Sequence, residues 1–141
     1  MGLLALEDTK VPVRFKLSAL WASVMFCYVY GDYFELYAPG KLQEMLAGKM
    51  ALGAVTQGML LGTSVLMAIP SMMVFLSLAL PASACRWLNI GAGLFYALIM
   101  SLILVGGGWA FYMLFASIEV GLTLLAAWYA WRWPRQTAGS A

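Results

Sequence analysis

Asp32, Glu35 and Glu119 are three of only six acidic residues in the chain, and all three fall within apolar runs long enough to cross a bilayer. A charged side chain at the bilayer centre costs about 2.5–3.5 kcal/mol on insertion scales, so something must offset that cost where it persists. The chemistry open to such carboxylates is narrow: reversible protonation, binding of a cation, or acid–base catalysis by a pair. Tyr28, Asp32 and Glu35 recur at four- and three-residue spacing and so share one helix face; Tyr112, Phe115, Glu119 and Thr123 do the same in the last apolar segment. These stripes are expected to face each other inside a bundle. At 1.5 Å of rise per residue, Glu119 lies about 15 Å below the start of its helix, Asp32 about 8 Å and Glu35 about 3–4 Å below the outer end of theirs. With Gln57 at a depth comparable to Asp32, they outline a ligand-binding cavity open to the outside, Glu119 at its floor and Asp32 and Glu35 nearer its mouth.

The chain has no histidine, and no Lys or Arg falls at those depths. Intramembrane cationic partners for the three carboxylates are therefore not expected, which leaves a protonated carboxyl, a water-filled cavity or a bound cation. Tyr28, Tyr30, Tyr33, Tyr96 and Tyr112 can donate hydrogen bonds or offer ring faces to a cation. The absence of histidine excludes His-ligated haem and the imidazole proton shuttle. A nucleophile elbow, a phosphate loop and an H-E-x-x-H pattern are all missing, so no cofactor is expected and the identity of any metal stays open. Cys27 and Cys85 have neither redox nor zinc-ligand spacing, and their heights differ too much for a disulfide.

The elements that position these residues follow from composition. Hydrophobic residues make up 64% of the 141 positions and charged residues 10%, against about 45–50% and 25% in soluble domains. A soluble fold could not bury that much apolar surface. The expected fold is all-α: a single integral membrane domain built as a four-transmembrane-helix bundle, with spans near 17–37, 52–80, 87–105 and 109–133. The cluster Ala38, Pro39 and Gly40 ends the first span, and residues 41–48 are expected to form one or two helical turns at the interface. Pro70 kinks the second span, because proline removes a backbone donor and crowds the carbonyl four residues earlier, and Pro81 closes it. Gly106, Gly107 and Gly108 form a tight turn. Pro134 ends the fourth span, ahead of a tail expected to be disordered. Glu7 and Asp8, with no small-residue cleavage site, predict a first helix that is retained rather than removed as a leader.

Lys10, Arg14, Lys16, Arg86, Arg132 and Arg135 gather on one face and only Lys41 and Lys49 on the other, which places both termini in the cytoplasm. Trp87, Trp128, Trp131 and Trp133 would form the inner aromatic belt, Tyr37 and Trp109 the outer one. Two stripes of small residues, Ala54, Gly58 and Gly62 in the second span and Asn89, Gly93, Ala97 and Ser101 in the third, are expected to face neighbouring helices in this chain or another copy. The net charge of +2, spread among helix ends, gives no nucleic-acid surface.

The span pattern, with GDYFELYAPG closing the first helix, resembles the small four-helix membrane proteins of bacteria grouped near the DoxX-like proteins. The resemblance implies topology and a bacterial inner membrane, and carries no activity onto particular residues. The functional expectation is a small, homo-oligomeric transport or channel-type protein whose acidic outward cavity binds a proton, a metal cation or a cationic organic compound through Asp32, Glu35, Glu119, Tyr28, Gln57 and Tyr112. The alternatives are an accessory or lipid-interacting subunit, and a membrane enzyme acting on a lipid or quinone with Asp32 and Glu119 as acid and base.

Overall fold

The structure, a computed structural model, describes residues 9–50 and 53–134. The acidic residues at 7 and 8, the expected start of the second span at Leu52, and Arg135 with the tail beyond it lie outside the described residues.

Four long helices and one short one account for most of the chain: α1 (Val13–Glu35), α2 (Lys41–Leu46), α3 (Gln57–Ala79), α4 (Ala82–Gly106) and α5 (Ala110–Trp131). Helices α3, α4 and α5 are long and apolar enough to cross a membrane. The chain is thus a small, all-helical membrane protein apart from one hairpin. Helix α1 matches α3 in length but carries charge near both ends. It starts one turn before the expected boundary, directly after Pro12, whose fixed φ suits a helix start. It stops at Glu35, and the chain turns through Gly40 at φ 84° into α2, the expected interfacial turns.

The expected second span begins later than the apolar pattern suggests. Lys49–Met50 pairs antiparallel with Gly53–Ala54, and the Thr56 hydroxyl then accepts from the Met59 amide at 3.2 Å to cap α3. Conversely, α4 starts at Ala82, so Cys85 lies buried in its first turn and not in a connection. Both cysteines are free. Gly107, at φ 74°, takes the left-handed conformation that the turn into α5 requires.

Helix α1 packs between α3 and α5, and α5 packs between α1 and α4, whereas α3 and α4 make little direct contact although they are adjacent in sequence. The tightest seam is α4 on α5. A Cβ at Gly93 would stand 2.7 Å from the Thr123 carbonyl oxygen and 3.0 Å from the Ala127 side chain, so glycine is what lets these backbones meet. That half of the small-residue expectation stands. A Cβ at Gly58 or Gly62, in contrast, would meet nothing within 4 Å among the described residues.

Polar side chains join the helices where apolar packing has no water-derived drive. The fully buried Trp21 indole donates to Asn89 Oδ1 at 2.7 Å, and Asn89 Nδ2 donates to the Cys85 carbonyl at 2.8 Å and to Ser77 Oγ at 3.3 Å. This network ties α1, α3 and α4 together. Trp21 also meets Tyr96 edge-on, with centroids 6.0 Å apart. Pro70 is buried inside α3; lacking an N–H, it leaves the Leu66 carbonyl without its helical partner, and the Tyr96 hydroxyl of α4 donates to that carbonyl instead.

Candidate functional site

The C-terminal half of α1 and the N-terminal half of α5 enclose Asp32 and Glu119. Packing of α1 against α5 turns the stripe Tyr28, Gly31 and Asp32 toward Tyr112, Ala116 and Glu119, and a Cβ at Gly31 would stand 4.0 Å from the Phe115 side chain. The two stripes read from the sequence do converge. Tyr28, Gly31, Asp32, Tyr112 and Glu119 line a small cavity of about 20 Å³, enough for a single water.

Glu119 is 4% exposed. The Thr123 hydroxyl bonds at 2.7 Å to its backbone carbonyl, and among the described residues no hydrogen bond or ion pair reaches its carboxyl group. Tyr28 is 6% exposed, and its hydroxyl is buried without a hydrogen-bond partner among the described residues. Two polar groups on facing helices are thus held in an apolar interior at one small void. A buried hydroxyl left unmet, as that of Tyr28 is among the described residues, costs about 1–3 kcal/mol.

The small cavity shares lining residues with a larger one. Tyr28, Asp32 and Tyr112 also line a cavity of about 650 Å³ whose opposite wall is Leu66 and Met67 of α3 with Met100 and Ile103 of α4, and whose end is closed by Trp109 and Phe111. It exists because α3 and α4 part on this side. Its lining is mostly apolar and aromatic, with the carboxylates gathered on the α1 side.

The expected site residues divide accordingly. Asp32 is exposed to the large cavity and borders the small one, so it links the mouth to Glu119. Glu35 borders the large cavity but is not without a cation: it is the last residue of α1, and the turn that follows brings Lys41 Nζ to 2.7 Å from its carboxylate. The expectation of three unpaired carboxylates is corrected to two. Gln57 is the first residue of α3, exposed, and borders neither cavity; the Thr56 cap places it at a helix end where the expected span had put it a turn inside. Tyr112 borders both cavities, as expected of its stripe. Among the described residues, no group of three metal-ligating side chains comes together.

Sequence reading missed Gly31, which shares the stripe of Tyr28 and Glu35 and was legible by spacing. It also missed the α3 and α4 wall. Leu66, Met67, Met100 and Ile103 carry no signal that distinguishes them from lipid-facing residues.

A family model described as a family of unknown function, DUF6326, matches residues 8–140, and the chain belongs to that family. No curated protein and no solved structure matches it.

Proposed function

We propose that this DUF6326 protein is a small transport-type membrane protein whose outward cavity binds a cationic ligand at Asp32 and exchanges a proton at Glu119. It crosses the membrane four times, with both termini in the cytoplasm, in the topology of DoxX-like proteins and in a bacterial inner membrane. The carrying observation is the buried Glu119 side chain, whose carboxyl meets no cation among the described residues and which shares a void of one-water size with Asp32. A membrane-embedded ionisable group of this kind marks ion and proton pathways. The aromatic rings around Asp32 suit an organic cation, and the lack of a three-ligand cluster among the described residues favours such a cation over a bound metal.

The deciding experiment uses the full chain in liposomes loaded with a pH-sensitive dye, with tetramethylammonium as the probe cation. Wild type is expected to couple an imposed tetramethylammonium gradient to proton movement, and Glu119→Gln to lose at least ten-fold of that flux. Equal flux from the two proteins overturns the reading.

The accessory-subunit reading keeps one specific support, the exposed face at Gly58 and Gly62, which has no neighbour among the described residues. A second copy on that face gives the homo-oligomer. Disulfide cross-linking of Gly58→Cys in membranes reports it: a dimer band supports contact between copies, and its absence removes it.

A further inference from the structure

The bundle end opposite the acidic cavity holds a second cavity, of about 580 Å³, lined by Arg14 of α1, Ser83, Arg86 and Trp87 of α4, and Trp133 beyond α5. Sequence reading gave these arginines only a part in membrane orientation. The structure fixes both of them in place. Arg14 Nη1 donates to the Leu78 carbonyl at 3.0 Å and to the Leu80 carbonyl, at the C-terminal end of α3. Arg86 Nε donates to the Ala130 carbonyl at 3.2 Å and its Nη2 to the Trp131 carbonyl at 3.3 Å, at the end of α5. Arg14 also lies over Trp133, 5.7 Å from the ring centroid, and Arg86 over Trp87 at 5.4 Å.

A guanidinium has five N–H donors, and these bonds use one nitrogen of Arg14 and two of Arg86. The rest remain for a ligand. Among the described residues the cavity is bordered by two arginines and no acidic side chain, a lining whose field is positive. Helix α4 adds to it: the helix follows Pro81 without a side-chain cap, leaving its first-turn amides and the positive end of its dipole at the cavity edge. Two pre-oriented guanidiniums flanked by indoles, in a pocket between apolar helices at a basic membrane face, match a phosphate that carries acyl chains; basic pockets of this kind bind anionic lipid headgroups.

We propose that this cavity is a binding site for the headgroup phosphate of an anionic phospholipid, held by Arg14 and Arg86 between Trp87 and Trp133. It stands independently of the transport reading, because it shares no residue with the acidic site.

The test is native mass spectrometry of the full-length protein in detergent with phosphatidylglycerol or phosphatidylcholine added. Wild type is expected to retain phosphatidylglycerol and not phosphatidylcholine. Arg86→Gln is expected to weaken retention at least ten-fold, and so is Ser83→Trp, which fills the cavity while leaving both arginines and their carbonyl bonds intact. Arg132→Gln, which removes the same charge at the same end from a side chain packed on Trp128 outside the cavity, is expected to bind as wild type. Wild-type retention by Ser83→Trp, equal loss in Arg132→Gln, equal retention of phosphatidylcholine, or displacement of the lipid by millimolar inorganic phosphate would each overturn the proposal.

Discussion

Tyr28 separates a role in function from a role in folding. Its ring packs in the core with Trp21, Val24 and Tyr96, yet its hydroxyl, buried at the small void, bonds to nothing among the described residues. Removing an unpaired buried hydroxyl relieves a desolvation cost, so Tyr28→Phe is expected to leave thermal stability unchanged within about 0.5 kcal/mol or to raise it. If the hydroxyl serves a ligand, the same variant binds tetramethylammonium more weakly. Lower stability with unchanged binding would assign Tyr28 to packing alone. Asp32 gives the complementary case: it faces the cavity, and Asp32→Asn is expected to reduce probe binding at least ten-fold while the protein stays monodisperse with an unchanged melting temperature. Both residues were legible from their spacing. The Glu35–Lys41 pair was not, because it depends on where α1 stops and on how residues 36–40 fold back, and apolar periodicity specifies neither.

At the scale of elements, one of the few links between α3 and α4 is a side chain that compensates a proline. Tyr96→Phe leaves the Leu66 carbonyl without a donor, and is expected to destabilise the protein by about 1 kcal/mol, the size of a hydrogen bond between membrane helices. In Pro70→Ala, the alanine N–H can take that carbonyl back, so Tyr96→Phe should cost less in that background. Equilibrium unfolding of the four proteins in mixed detergent measures the difference, and equal costs in both backgrounds would contradict the account. Gly93→Ala places a Cβ 2.7 Å from the Thr123 carbonyl and is expected to cost about 1–3 kcal/mol as α4 and α5 are pushed apart. Gly58→Ala and Gly62→Ala, whose added Cβ meets nothing among the described residues, should change the melting temperature little. Stripes at the same four-residue spacing in the sequence thus have different outcomes. Helix periodicity shows which residues share a face, but not which face finds a partner. The Pro70 position was equally legible, while its hydrogen-bond partner on α4 was not, since the pairing depends on how two helices align in height. The short hairpin at residues 49–54 escaped for another reason: two residues per strand are too few to show alternation.

The whole molecule is asymmetric from end to end. One end carries arginines spread over indoles and the ends of α3 and α5; the other carries carboxylates, tyrosines and a wide cavity. The orientation proposed above, which follows the positive-inside rule, puts the arginine end in the cytoplasm. In right-side-out vesicles, Glu44→Cys and Gly107→Cys should therefore react with a membrane-impermeant maleimide, and Ser83→Cys only after permeabilisation. The opposite pattern would turn the acidic cavity inward. The long helices and their apolar character were readable from composition and breakers, whereas the parting of α3 from α4, which creates the large cavity, is a property of packing that no single segment encodes.

Linkage between ligand and proton tests the central claim most directly, since a ligand cation that binds in communication with Glu119 must alter proton occupancy there. Isothermal titration calorimetry of tetramethylammonium into the purified protein, in two buffers of different ionisation enthalpy, reads that exchange. The account predicts that the apparent binding enthalpy of wild type changes with the buffer because a proton is released, and that Glu119→Gln binds with the same enthalpy in both. A wild-type enthalpy independent of the buffer would contradict it.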